Sequence, residues 1–106
     1  MKVLSLLPIA ALAAFAYATP ASAHTPLFAC YDNGDGSALC EGGFSDGSSA
    51  SGVPVKVKDS SGKVVFSGKM NEVSEFEFKK PDGDYSVLFD AGEGHRIEIS
   101  SQDIVE

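Results

Sequence analysis

The stretch LFACYDNGDGSALCEGGF, residues 27–44, decides the fold of this chain. Two short apolar runs, 27–32 and 38–44, flank the sequence Asn-Gly-Asp-Gly at 33–36. Asn and Gly accept the positive φ angles that tight hairpin turns require. The stretch therefore predicts a β-hairpin.

Both cysteines of the chain lie in this hairpin. Cys30 and Cys40 are symmetric about Asp35, so antiparallel pairing places them opposite each other. Two thiols within reach of each other pair in an oxidising compartment. We predict a disulfide between Cys30 and Cys40 that ties the hairpin's own strands. The alternative is a pair of thiolate ligands for zinc or copper, but no second cysteine pair accompanies them.

The rest of the chain continues the same pattern of short strands separated by turns. Apolar residues recur with period two, in runs broken by Gly, Asp, Asn and Ser, and no segment has the pattern of a helix. Further strands are predicted at 53–58, 63–68, 75–79, 84–90 and 95–100. Seven short strands at a spacing of about ten residues predict an all-β fold, an antiparallel immunoglobulin-like sandwich.

The first 23 residues have the composition of an export signal. Lys2 supplies the positive charge, residues 3–17 are almost wholly apolar, and Ala21 and Ala23 match the Ala-x-Ala cleavage rule. The apolar run is shorter than the roughly 20 residues that span a bilayer. We predict a signal peptide over residues 1–23, cleaved after Ala23, and one secreted or periplasmic domain over residues 24–106. An uncleaved anchor is the alternative.

Charge narrows the range of partners. The exported part carries seven basic and fifteen acidic side chains. Such a surface repels phosphate backbones and anionic lipid, and it raises the local concentration of cations. We therefore expect no nucleic acid as a partner. The tail after Ile104 is too short to carry a membrane anchor, so we expect no stable anchor after cleavage. The partner we expect is a metal ion, for the reason that the histidines give.

The chain has two histidines, and their positions are informative. Cleavage after Ala23 makes His24 the first residue, and His95 opens the last predicted strand. A terminal His offers its α-amine, with a pKa near 8, together with ring Nδ1, which close a six-membered chelate on one metal ion. The second imidazole would complete a three-nitrogen site, a histidine brace. Nitrogen ligands favour copper or nickel over calcium and magnesium.

Pro26 excludes the other amino-terminal chelate, which needs deprotonated backbone amides and a His at the third position, because Pro has no amide hydrogen. The alternative for His24 is an ordinary terminal residue, and His95 could simply cap the core at a strand end. Weaker candidate ligands are Asp90 and Glu93, through oxygen, and Met70, through its thioether, for copper(I).

The sequence contains no complete catalytic motif. Residues 43–47 read Gly-Phe-Ser-Asp-Gly, but no helix is predicted after them, so Ser45 lacks the strand–turn–helix context of a nucleophile elbow. A disulfide between the two cysteines leaves no free thiol as a nucleophile. We therefore expect a protein that is not an enzyme.

Several motifs, taken in order, resemble one family. They are His-x-x-Leu at 24–27, Phe-Ser-Asp-Gly at 44–47, Val-Lys-Asp at 57–59 and Asp-Ala-Gly-Glu-Gly-His at 90–95. The chain resembles the small extracytoplasmic accessory proteins of nickel and cobalt uptake systems, the CbiL/NikL-like group, whose domain is immunoglobulin-like. The resemblance implies that His24 and His95 handle a transition metal for a membrane transporter. Members of that group often carry a carboxy-terminal membrane segment, and a cysteine pair is not general among them.

The sequence thus predicts a periplasmic transition-metal-binding protein, an accessory or carrier for metal uptake. Resemblance favours nickel or cobalt as the metal, and ligand chemistry favours copper. The alternative is a non-catalytic immunoglobulin-like module that binds another protein of the cell envelope.

Overall fold

Seven β-strands and one short 3-10 turn make up residues 25–106, the part of the chain that the computed structural model describes. The predicted signal peptide and His24 lie outside the described residues. The elements are β1 Pro26–Asp32, β2 Ser37–Phe44, β3 Pro54–Asp59, β4 Val64–Lys69, β5 Glu75–Lys79, β6 Tyr85–Asp90, β7 Arg96–Ser100 and the 3-10 turn Ser101–Asp103.

The strands form two antiparallel sheets that pack face to face. One sheet has the order β1-β2-β5 and the other has the order β4-β3-β6-β7. The predicted immunoglobulin-like sandwich of seven strands is confirmed. Constant-type immunoglobulin domains place their fourth strand in the first sheet. Here β4 instead pairs with β3, so the second sheet is one strand wider than the first.

The first hairpin forms in the predicted register. Cys30 and Cys40 are direct partners across β1 and β2, and they form the disulfide. Gly34 and Gly36 have φ angles of +82° and +92° in the turn, and the Asp32 carboxylate accepts a 2.8 Å hydrogen bond from the Gly34 amide. The two glycines therefore adopt the positive φ angles that the Asn-Gly-Asp-Gly sequence predicts for a hairpin turn.

The core consists of the inward-facing residues of both sheets. Val55, Val57, Val87 and Phe89 are completely buried, as the alternation along β3 and β6 predicts. The Phe28 ring of β1 stacks on Phe89 with 4.7 Å between centroids, which joins the two sheets. Burial of such side chains stabilises each by about 1.5–3 kcal/mol.

Close packing of the sheets depends on one glycine of β2. A Cβ atom at Gly42 would lie 2.9 Å from the Phe89 ring and 3.1 Å from the methyl of Met70. Any larger residue would therefore push the sheets apart.

The sequence predicted no helix, and the exception is the one-turn 3-10 segment after β7. The Ser100 hydroxyl accepts a hydrogen bond from the Gln102 amide and caps this turn. Ile104 then returns to the core with 5% of its surface exposed. Within residues 25–106, no helix is long and apolar enough to cross a bilayer.

Candidate metal centre

The start of β1 is fixed to the loop that follows β2. The Ser45 amide donates to the Thr25 carbonyl at 2.8 Å, and the Thr25 amide donates to the Ser45 hydroxyl at 3.2 Å. These two bonds continue the β1–β2 ladder by one residue beyond the Pro26 and Phe44 pair. The first described residue is therefore held at the end of the sandwich where β2 ends.

The loop after β2 is a tight turn organised by an aspartate. The Gly47 amide donates to the Phe44 carbonyl at 2.8 Å. The Asp46 carboxylate accepts hydrogen bonds from the amide of Ser48 at 2.9 Å and from its hydroxyl at 2.6 Å. This turn therefore fixes Phe44 and Ser48 close to the point where β1 begins.

The turn between β6 and β7 lies at the same end of the sandwich. The His95 amide donates to the Gly92 carbonyl at 2.8 Å, and the Ala91 amide donates to the His95 carbonyl at 3.1 Å. Gly92 has φ +111° and Gly94 has φ +80°, a conformation that costs little only for glycine. The Gly-Glu-Gly sequence therefore allows the chain to reverse just before His95.

His95 has one ring nitrogen engaged with the backbone of its own turn. Nδ1 lies 3.2 Å from the Glu93 carbonyl oxygen. A carbonyl oxygen can only accept, so a hydrogen bond here places a proton on Nδ1, and in the neutral imidazole the lone pair is then on Nε2. A metal-binding histidine is commonly oriented in this way, with its other ring N–H on a carbonyl or carboxylate.

A cavity of about 300 Å³ joins the two turns. It is lined by Phe44 and Ser48 from the loop after β2 and by Ala91 and His95 from the β6–β7 turn. The His95 side chain is half-buried in its wall. This end of the sandwich therefore combines an imidazole, a hydroxyl and the fixed start of β1.

The other candidate ligands differ in their surroundings, since Asp90 is hydrogen-bonded, Met70 is buried and Glu93 is exposed. The Asp90 carboxylate accepts a 3.0 Å bond from the Gly92 amide and a 2.8 Å bond from Arg96 Nε. Both hold the pKa of Asp90 below its usual value, the Gly92 amide contributing most. Glu93 is exposed, and Met70 is 2% exposed within the core. Asp90 thus supports the turn, and the Met70 thioether packs beside Gly42.

Residues 25–106 contain no group of three or more His, Cys, Asp or Glu side chains that could hold a metal ion. These residues contain one histidine, His95, which can offer one nitrogen to a metal ion. A three-nitrogen site therefore requires His24, which lies outside the described residues.

Comparison with known proteins gives no relatives, since no family model, curated protein or solved structure matches this chain.

Sequence reasoning did not single out Ser45 and Ser48 as parts of the site. The predicted hairpin register could have located Ser45, because the symmetry that pairs Cys30 with Cys40 also pairs Pro26 with Phe44. Extending that ladder by one step places Thr25 beside Ser45. The packing of the β6–β7 turn against Phe44 carries no comparable sequence signal.

Proposed function

We propose that this protein binds one transition-metal ion outside the cytoplasm, through His24 and His95, and serves as a carrier or accessory for metal uptake. Two nitrogens would come from the α-amine and Nδ1 of His24, and one from Nε2 of His95. Three nitrogen ligands favour copper or nickel. The resemblance to nickel and cobalt accessory proteins favours a role beside an importer.

The anchoring of Thr25 is the observation that carries this proposal. Thr25 is bonded to Ser45, and the neighbouring Phe44 lines the same cavity as His95. His24 is the neighbour of Thr25 in the sequence, and consecutive Cα atoms are about 3.8 Å apart. The anchoring of Thr25 therefore supports a ligand set made from the two histidines.

The orientation of His95 gives independent support. With its Nδ1 proton directed to the Glu93 carbonyl, the imidazole offers Nε2 without a change of tautomer. The Asp90 carboxylate does not compete for the metal, since Arg96 and the Gly92 amide already hold it. Nitrogen ligation is therefore favoured over the oxygen-rich sets that calcium requires.

The test is a titration of the mature protein that begins with a native His24. Copper(II) and nickel(II) are added separately, and native mass spectrometry counts the bound ions. We expect one ion per chain, and we expect affinity to fall by about a hundredfold or more for His95→Ala and for a protein with one extra residue before His24, since each loses a ligand.

Glu93→Gln is the matched control within the same turn. It removes a carboxylate but keeps the backbone carbonyl that orients His95, so the affinity should remain within about twofold of the wild type. Binding as strong as that of the wild type in His95→Ala, or in the extended protein, would exclude the brace.

A second candidate function has one specific observation in its favour. Leu27 and Tyr31 lie on the outer face of β1 with 52% and 46% of their surfaces exposed, and Tyr31 is the direct partner of Leu39. Exposed apolar faces mark interaction surfaces. An interaction module of the cell envelope would use this face, and it would bind no stoichiometric metal in the same titration.

A further inference from the structure

Strand β4 presents an unusual edge to solvent. Val64, Val65 and Phe66 are consecutive, and 43%, 38% and 41% of their surfaces are exposed. Soluble proteins normally protect edge strands with charges, prolines or covering loops, because unpaired N–H and C=O groups beside apolar side chains attract another strand. Three adjacent apolar residues at the end of the four-stranded sheet therefore need an explanation.

The exposure of Phe66 follows from the unequal arrangement of the two sheets. Phe66 is the direct partner of Val57, which is completely buried, so Phe66 points to the inner face of its sheet. Two residues further along, Gly68 lies against the Phe76 ring of β5, where a Cβ would come within 2.7 Å. The opposite sheet therefore covers Gly68 but leaves Phe66 at an open side of the sandwich, between β4 and β5.

Charge divides this open side into two halves of opposite sign. The β3–β4 hairpin holds four of the seven basic residues of the exported part, Lys56, Lys58, Lys63 and Lys69, and one acidic residue, Asp59. The β4–β5 connection and β5 hold three acidic residues, Glu72, Glu75 and Glu77, and one basic residue, Lys79. A basic, apolar edge thus lies beside an acidic edge that contains Phe76.

The directions of the strands allow the two edges to pair with each other. β4 and β5 belong to opposite sheets and are joined across the sandwich by residues 70–74. They run in opposite directions, because β4 ends and β5 begins at the same end of the sandwich, where the Asn71 amide donates to the Glu75 carbonyl at 2.7 Å. A two-fold axis parallel to the strands keeps these directions and exchanges the sheets. Under that symmetry, β4 of one copy meets β5 of another in antiparallel orientation.

We propose that a second copy of this chain docks on this side, with β4 of each copy pairing with β5 of the other. Both sheets then continue into the neighbouring molecule, and both edges are closed. Lys69 of one copy lies near Glu75 of the other, since β4 ends where β5 begins. Phe66 of one copy then packs beside Phe76, at the edge of the second copy's core. The proposal is independent of metal binding.

The test is analytical ultracentrifugation of the metal-free protein over a wide concentration range, in the presence of a chelator. We expect a reversible monomer–dimer equilibrium. Val65→Lys, which places a charge on the pairing edge, should raise the dimer dissociation constant by about tenfold or more. Val105→Lys is the matched control, because Val105 is 64% exposed but contacts the β1 side through the Asp32 amide. It should leave the dissociation constant unchanged.

A charge exchange tests the pairing itself. Lys69→Glu should weaken the dimer, and the double variant Lys69→Glu with Glu75→Lys should restore it, because the ion pair returns with its signs reversed. Circular dichroism checks that each variant is folded. A protein that stays monomeric at every concentration, equal effects of the two Val→Lys variants, or a double variant no better than Lys69→Glu would overturn the proposal.

Discussion

Ser45 holds Thr25 by two hydrogen bonds, one of 2.8 Å from its amide to the Thr25 carbonyl and one of 3.2 Å from the Thr25 amide to its hydroxyl. Twenty residues separate the two in the sequence. This contact fixes the point at which the chain enters the described fold, beside the loop that shares a cavity with His95. A ligand on the preceding residue would benefit, because an anchored chain loses less conformational entropy when the metal binds.

The first prediction concerns this anchor. Ser45→Ala removes the hydroxyl but keeps the backbone bond, so the fold should persist while copper(II) affinity falls by about threefold to tenfold, the net value of one hydrogen bond. Isothermal titration calorimetry measures the change. Ser61→Ala is the control, since Ser61 makes a comparable bond to Asp59 in the turn between β3 and β4. Equal losses in both variants would argue against a specific role for the anchor.

The second prediction concerns the disulfide. Cys30 and Cys40 close a short loop between neighbouring strands, and loop closure in the unfolded chain accounts for about 2–3 kcal/mol of stability. The double variant Cys30→Ala with Cys40→Ala should lose about that much free energy of unfolding, measured by urea denaturation. Reducing agent should destabilise the wild type similarly and leave the double variant unaffected. A wild type that is insensitive to reduction would contradict this account.

The third prediction concerns the contact between the sheets. Phe89 is completely buried and stacks on Phe28, so Phe89→Ala should lose about 3–5 kcal/mol of unfolding free energy through the cavity it leaves. Val73→Ala, at a residue that is 70% exposed, should change stability by less than about 0.5 kcal/mol. Urea denaturation of both variants measures these changes, and similar losses of unfolding free energy would contradict the role of Phe89 in joining the sheets.

The fourth prediction uses the ion pair between Asp32 and Lys80. The Lys80 ammonium, followed by the Gly34 amide, lowers the pKa of Asp32, and the Asp32 carboxylate raises the pKa of Lys80. The stability that Asp32 contributes to the fold is present above its unfolded pKa of about 3.9 and is lost as the pH falls through the lower folded pKa. The stability that Lys80 contributes to the fold is present below its unfolded pKa of about 10.4 and is lost as the pH rises through the higher folded pKa.

Lys80→Met should therefore destabilise the protein most near neutral pH, and its difference from the wild type should shrink below about pH 4 and above about pH 10. Thermal unfolding across the pH range measures this difference. Lys79→Met serves as the control, because Lys79 is exposed on the neighbouring position of β5. A Lys80→Met deficit that does not vary with pH would show that the side chain acts through packing alone.

Much of the fold was predictable because the sequence pattern is local. Period-two alternation located the strands within one or two residues, and the symmetry of Cys30 and Cys40 about the turn set the register of the first hairpin. The partner of β4 was less accessible to sequence reasoning. Its pairing with β3 depends on the short turn at Asp59 and on the irregular register between Val57 and Lys58, which the apolar pattern does not encode.

The candidate site was predictable only in part. Ligand chemistry selected His24 and His95 as candidate ligands, since few residue types bind transition metals through nitrogen. The Nδ1 contact to the Glu93 carbonyl and the cavity beside Phe44 depend on how two distant turns pack. Met70 illustrates the same limit, because the three residues that follow it are exposed, yet Met70 lies in the core where the chain crosses between the sheets.

Electron paramagnetic resonance of the copper(II) complex, prepared with nitrogen-15-labelled histidine, tests the central claim most directly. We predict one copper per chain with three nitrogen ligands, one amine and two imidazoles, and the loss of one imidazole coupling in His95→Ala. An unchanged set of nitrogen couplings in His95→Ala, or in a protein with one extra residue before His24, would contradict this prediction.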